Sequence, residues 1–424
     1  MLAVWNATPA HTFPVHGRDR ELTALTGVLD EASRGRGAAR VVVGRSGVGK
    51  TALLDEVADR AETFRVLRTR GTVAESEVPF AGLHQLLRPL DHLLSRLPAG
   101  QAEALHRAFG LCAEVEPITV RAATHALLSA AAAEGPTLCC VDAAHELDTE
   151  SLAALAFAAR RLDHLGVVVL FGTDHAIPAE RAEFLAELPR LRLGPLEPGA
   201  GHRVLRDHLG PALPHDLADS LLDVADGNVL ALVELASAVT VDQLSGRTDP
   251  PTGLPGDSRL CATVRRRLAA LSPAGRRVVV LAAVDHRLDR RTLDRVWAAT
   301  GEDADALTDA VDSGLIEVSG EIVHPAEAVP GCTLLAATDP GEAHRAHRLL
   351  ADVADPVADR YRVVWHRAAT AGTPSDDLVR ELDEVAERAR AGADHVEAAA
   401  ASERAAALSA DDTDRARRLV SAAG

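Results

Sequence analysis

The feature that most constrains this 424-residue chain is the octet Gly44-Arg45-Ser46-Gly47-Val48-Gly49-Lys50-Thr51, which matches G-x-x-x-x-G-K-[ST] at every fixed position. It follows a β-branched run, Val41 to Val43, and opens an amphipathic pattern over 50–62, so the local order is strand, loop, helix. Lys occurs once among the 45 basic residues, at Lys50. Arg stands everywhere else, yet a guanidinium cannot replace a compact, mobile ammonium, so composition singles out the same position. In such a loop the glycines let successive N–H groups turn inward around the α- and β-phosphates, and the helix N-terminus adds partial positive charge. Lys50 is then expected to reach the β- and γ-oxygens and the Thr51 hydroxyl to ligate Mg²⁺, with Gly44 through Ala52 as the nucleotide-contacting segment.

Two further apolar strands read at Thr137 to Asp142 and Gly166 to Phe171, separated by the helical pattern of residues 150–162. Buried strands alternating with helices predict an α/β fold with a parallel sheet, a P-loop NTPase architecture. Asp142 ends its strand and is the expected metal-side carboxylate, a candidate for both Mg²⁺ binding and catalysis. The next position, where a hydrolytic site needs a group that orients water, is Ala143. His145 and Glu146 follow closely, and Glu146 is the candidate base if hydrolysis occurs. Arg160, beside Arg161 on the next helix, could bring a cation to a γ-phosphate in cis or from a neighbouring subunit, although solvated helix-end arginines have the same appearance.

The rest of the chain divides by composition. Residues 1–16 read as an N-terminal tail, 17–195 as the α/β domain and 196–238 as a helical lid interrupted at Asp226-Gly227-Asn228. The Pro- and Gly-rich stretch 239–257 reads as a linker. Three short helices and a strand pair predict a winged-helix-like module over 258–345, and the Ala- and Arg-rich helices of 346–424 read as the start of a TPR-like helical-repeat region. The five cysteines, Cys112, Cys139, Cys140, Cys261 and Cys332, lack zinc spacing and are expected to be reduced core residues. A net charge of −17 argues against a broad nucleic-acid-binding surface. No apolar run is long enough to span a bilayer, so a cytoplasmic location without membrane contact is expected. Arg265-Arg266-Arg267 lies at helical pitch and reads as a solvated face.

Several motifs recur together: Gly17-Arg18-Asp19-Arg20-Glu21-Leu22, the P-loop, Val78-Pro-Phe-Ala-Gly-Leu-His-Gln-Leu-Leu-Arg-Pro-Leu90, Asp142-Ala-Ala-His-Glu-Leu-Asp148, Gly227-Asn-Val-Leu-Ala-Leu232 and Val323-His-Pro325. In this order they resemble the large ATP-binding regulators of the LuxR family, transcription regulators within the STAND class of AAA+-like signalling ATPases. The resemblance covers residues 15–424. It implies a switch that binds ATP or ADP with Mg²⁺, self-associates on activation, and answers an unknown small-molecule or protein inducer. It also implies base-side contacts from Val15, Gly17 and Arg18, a lid contact at position 229, and a diphosphate-sensing role for His324. DNA binding in that group belongs to a C-terminal helix-turn-helix, which is expected to lie outside this chain; the chain is expected to stop inside the helical region of a longer protein rather than to be a natural short form. Four positions depart from the family pattern: Ala143 replaces a second acid, Gly172-Thr173-Asp174 replaces an Arg-bearing strand end, Val229 replaces Pro, and Val323 replaces Arg. Nucleotide binding is therefore expected, with hydrolysis slow or absent. The competing expectations are a working ATPase or phosphotransferase using Glu146 or His145, and an interaction scaffold that has lost nucleotide chemistry.

Overall fold

The computed structural model describes residues 14–110, 115–174, 177, 179–285, 287–326, 329, 331–356, 359–371, 373 and 375–422. Most of the expected N-terminal tail lies outside the described residues, as do Cys112 and the side chain of Cys332. The chain divides into two compact units, one ending at Pro255 and the other beginning at Gly256.

The first unit is built on a five-stranded parallel sheet with the order β2-β3-β4-β1-β5. The strands are β1 (Ala38–Gly44), β2 (Arg65–Arg70), β3 (Thr137–Asp142), β4 (Val167–Thr173) and β5 (Arg190–Leu193). Its helices are α1 (Asp19–Ser33), α2 (Lys50–Arg60), α3 (Ala81–Leu87), α4 (Ala99–Phe109), α5 (Pro117–Glu134), α6 (Thr149–Ala159), α7 (Ala179–Leu185), α8 (Pro198–Leu209), α9 (His215–Ala225), α10 (Val229–Ala238) and the single turn α11 (Val241–Leu244), with a 3-10 segment at Arg88–Arg96. Every residue of β3 and β4 is buried, as continuous apolar strands covered on both faces require. Leu22 and Leu25 of α1 and Leu53 and Leu54 of α2 pack with Val42, Leu138 and Leu170 on one face. Leu83, Leu127 and Leu155, from α3, α5 and α6, pack with Val141, Val169 and Phe171 on the other. Successive residues of a strand face opposite ways, so Cys139 joins the second core and Cys140 the first. Both thiols are buried and free, and burial pushes the Cys140 thiol up to about 12, so neither is a nucleophile.

Two strands were not read from the sequence. β2 and β5 carry Arg65, Arg68, Arg70, Arg190 and Arg192 among few apolar residues because each forms an edge of the sheet. The linker stretch is also not structureless: Thr240 and Gln243 form a capping box that starts α11.

The second unit contains α12 (Arg259–Ala270), α13 (Pro273–Val284), α14 (Arg290–Thr300), α15 (Asp305–Asp312), the antiparallel pair β6 (Ile316–Ser319) and β7 (Ile322–Pro325), α16 (Gly331–Ala337), α17 (Pro340–Val353), α18 (Arg360–Thr370), α19 (Asp376–Ala391), α20 (His395–Ala407) and α21 (Asp412–Ala422). Among the described residues no helix is long and apolar enough to cross a membrane.

Candidate nucleotide site

The octet Gly44–Thr51 joins β1 to α2, and its backbone needs glycine: Gly47 has φ +78° and Gly49 has φ +102°. Gly44 is needed for a different reason, since a Cβ there would lie 2.8 Å from the Leu193 carbonyl and from Val48. Lys50 Nζ donates to the carbonyls of Gly44 (2.7 Å) and Arg45 (2.9 Å), so the single ammonium lies over the loop itself. In the next position Thr51 Oγ1 donates to Asp142 Oδ2 at 2.9 Å. Asp142 is only 4% exposed and its other oxygen accepts the Ala143 N–H at 2.9 Å. Arg70 Nε lies 3.8 Å from the same carboxylate. A hydroxyl from α2 and a carboxylate from β3 are an oxygen donor set suited to Mg²⁺, which typically takes one or two protein oxygens and completes its shell with water and phosphate.

The sequence-predicted contacts from 15–18 and from position 229 converge on this loop from two distant segments. Gly17 has φ +68° and a Cβ there would lie 2.5 Å from Ala200, so the chain must turn tightly at that point. This turn buries Arg18, whose Nη2 donates to Val48 O (3.2 Å) and Gly194 O (2.9 Å). Burial draws the Arg18 pKa below the ordinary guanidinium value, with Glu21 at 3.9 Å acting the other way. Arg18 therefore braces the P-loop against the end of β5. Val15 is half-buried beside it. The turn before α10 then docks on the other side: Asn228 Nδ2 donates to Ser46 O at 2.7 Å, Leu230 N–H to Gly47 O at 2.9 Å, and Arg45 Nη1 lies 3.4 Å from Asp226 Oδ2. A Cβ on Gly49 would lie 3.7 Å from Val229, which puts that side chain against the loop. The structure thus gathers Gly17, Arg18, the P-loop, Asp142 and Val229 at the C-terminal ends of the parallel strands.

Two candidates are placed differently. Helix α6 follows β3 and leads to the parallel β4, so it starts at the C-terminal ends of the strands, beside Asp142, and finishes at their N-terminal ends. Arg160 stands at that far end, where Nη1 donates to the Phe184 carbonyl at 2.8 Å and Nε lies 3.8 Å from Glu187. An in-cis arginine finger at Arg160 is ruled out by this direction of travel. His324 lies on β7 in the second unit, with Nδ1 at 3.0 Å from Pro325 O and Nε2 at 3.0 Å from Ser319 Oγ.

The water-orienting position is also occupied by structure. Ala143 has φ +49°, a left-handed conformation uncommon for a residue with a Cβ. His145 Nδ1 accepts the Asp174 N–H at 3.3 Å, and its carbonyl accepts Arg181 Nη1 at 2.7 Å. Glu146 ends the one-turn segment Ala144–Glu146. Sequence reasoning missed the role of Asp148, which caps α6 and accepts the N–H groups of Ser151, Phe80 and Gly82 at 2.9, 2.8 and 3.1 Å. This carboxylate holds Phe80 and Gly82 of the Pro-Phe-Ala-Gly-Leu segment, and the Ser151 hydroxyl accepts the Leu83 N–H at 2.7 Å.

A parallel sheet with a P-loop between β1 and α2 and a buried acid ending β3 defines a P-loop nucleotide-binding domain. Residues 14–170 match the family described as AAA ATPase domain. No curated protein matches the chain. Among solved structures, a signal transduction ATPase with numerous domains (STAND) carrying a tetratricopeptide repeat sensor, from Pyrococcus horikoshii, aligns at 15% identity and TM-score 0.35, over 97% of this chain and 56% of its own. This chain therefore spans little more than half of that protein. A RuvB variant from Thermotoga maritima aligns at 14% identity and TM-score 0.37, over 74% of this chain and 94% of its own. The Drosophila ORC bound to DNA gives 14% identity, TM-score 0.39, and 76% and 87% coverage. At these TM-scores the likeness carries no argument about function.

Proposed function

We propose that this chain is the nucleotide-operated regulatory core of a transcriptional regulator similar to the large ATP-binding LuxR-family proteins, binding ATP or ADP with Mg²⁺ and hydrolysing slowly or not at all. The observation that carries the reading is the docking of Asn228 and Leu230 on the carbonyls of Ser46 and Gly47. It couples the phosphate loop to the helices that follow the sheet, as a switch requires and a simple phosphatase does not. In this reading Lys50 and the loop N–H groups hold the phosphates, Thr51 and Asp142 hold the metal, and Arg18 and Val229 bound the base side. The bound Mg²⁺ would neutralise phosphate charge. Ala143 supplies no carboxylate to orient water, and the His145 ring already accepts the Asp174 N–H through Nδ1, which supports slow turnover.

The same reading takes 196–238 as a lid, 258–345 as a winged-helix-like module with His324 as its diphosphate-sensing residue, and 346–424 as repeats that report an inducer. Self-association on activation and a cytoplasmic location belong to it too. DNA binding is not assigned to these residues. The test is thermal denaturation with ADP and ATP: ligand at about 100 times its Kd stabilises by about 2.7 kcal/mol, and Lys50→Ala should abolish the shift. No shift in the parent protein defeats the proposal. Phosphate release near 1 s⁻¹, lost in Glu146→Gln, would favour a working ATPase instead.

A further inference from the structure

A cavity of about 270 Å³ lies between α13 and α17 in the second unit. Val280 and Leu349 contribute apolar surface, while Arg276 and Arg277 of α13 and Arg345 of α17 contribute three guanidinium groups against one carboxylate, Glu342. In a chain of net charge −17 this is a local inversion of sign. The three cations are held differently. Arg277 is paired with Glu302. Arg276 Nη1 lies 3.5 Å from Glu342 Oε1, but its Nε is buried without an acceptor. Arg345 has no carboxylate partner among the described residues. Guanidinium groups without a full set of acceptors are matched best by an oxyanion that takes two parallel donors.

We propose that this cavity binds a small organic anion, a carboxylate or phosphate headgroup held by Arg276 and Arg345 on a short apolar body packed against Val280 and Leu349. Its volume is close to the lower end of ligand pockets, about 300 Å³, which limits the ligand to a small molecule. Glu342 competes for Arg276, so the site selects anions able to displace a carboxylate already 3.5 Å away. The site is independent of the P-loop, because every group it uses belongs to the second unit.

Isothermal titration of the whole chain with hexanoate, hexyl phosphate and hexylammonium tests it. One or both anions should bind once per chain, the two arms deciding between carboxylate and phosphate, and hexylammonium should not bind. Arg276→Gln and Arg345→Gln should each weaken binding about tenfold, as expected for a charged hydrogen bond. Glu342→Gln should tighten it severalfold, a gain that a misfolded variant cannot imitate. Absence of saturable binding by both anions, equal binding of hexylammonium, or anion binding unchanged in both Arg variants would overturn the proposal.

Discussion

Asn228 Nδ2 donates to the Ser46 carbonyl at 2.7 Å across 182 positions of sequence, while Asn228 Oδ1 accepts the Ala231 N–H at 3.0 Å. One side-chain amide therefore starts α10 and holds the phosphate loop at the same time. The two roles use different atoms, so they can be separated by substitution.

Asn228→Ala should lose both the cap and the tie, costing about 2 kcal/mol in urea denaturation, roughly 1 for each. Asn228→Asp keeps a capping oxygen but loses the donor and adds negative charge beside the loop. It should cost about 1 kcal/mol in stability and weaken ADP binding by a larger factor. Equal ADP affinity in Asn228→Asp and the parent would show that the tie does not communicate with the loop.

The bond from Thr51 to Asp142 Oδ2 predicts a second separation. Asp142→Asn keeps an oxygen for the Ala143 N–H and offers Nδ2 as a donor to the reversed Thr51 hydroxyl, but removes the charge that would hold Mg²⁺. ADP alone should still stabilise this variant, whereas the further stabilisation on adding Mg²⁺ should vanish. Thermal shifts with ADP in Mg²⁺ or EDTA measure the difference. A parent-like Mg²⁺ increment in the variant would remove Asp142 from the metal site.

The site was legible in the sequence where its chemistry is local. The octet fixes its own turn through Gly47 and Gly49, and Asp142 announces itself by ending an apolar run. What was not legible depends on separation or direction. Asn228 reaches Ser46 only after the sheet has formed, and the braces from Arg18 need β5, whose alternating Arg190 and Arg192 hide it as a strand. The sequence left Arg160 open between an arginine finger and a helix-end arginine, because only the fold shows at which end of the strands a helix stops. The Thr240-to-Gln243 capping box was readable and was masked by the surrounding Pro and Gly.

Asp148 is the anchor of the segment before α3, and it is buried. Asp148→Ala would leave the N–H groups of Phe80, Gly82 and Ser151 without their acceptor, at about 1 kcal/mol or more each, so a loss of at least about 3 kcal/mol is expected. Phe80 holds φ +63°, so the released segment would relax from a left-handed turn. Hydrogen exchange should show the amides of Phe80, Gly82 and Ser151 losing protection together. Protection retained at Phe80 and Gly82 would count against a single shared anchor.

The second unit should weaken in mild acid because of His347. Its Nδ1 lies 2.8 Å from Nδ1 of His366, whose Nε2 is 3.5 Å from Asp285 Oδ2, and Arg362 Nε donates to the same oxygen at 3.1 Å. Burial first, then His366 and Arg404, lower the His347 pKa from 6.5 to about 4, with Asp285 opposing and His344 adding slightly. The folded state thus keeps His347 neutral while the unfolded chain takes up a proton below pH 6.5, so the contribution is full above that pH and is lost on descending to 4. Asp285 acts lower: burial would raise its pKa, but His366 and Arg362 prevail and hold it at about 2, so its share is lost only between about 3.8 and 2. Allowing for solvent screening of a part-exposed ring, stability should fall by about 1–2 kcal/mol between pH 7 and 4. Urea midpoints across that range should flatten in His347→Gln. An unchanged slope in the variant would move the acid sensitivity to another group, because no other ring meets His366 at hydrogen-bonding distance among the described residues.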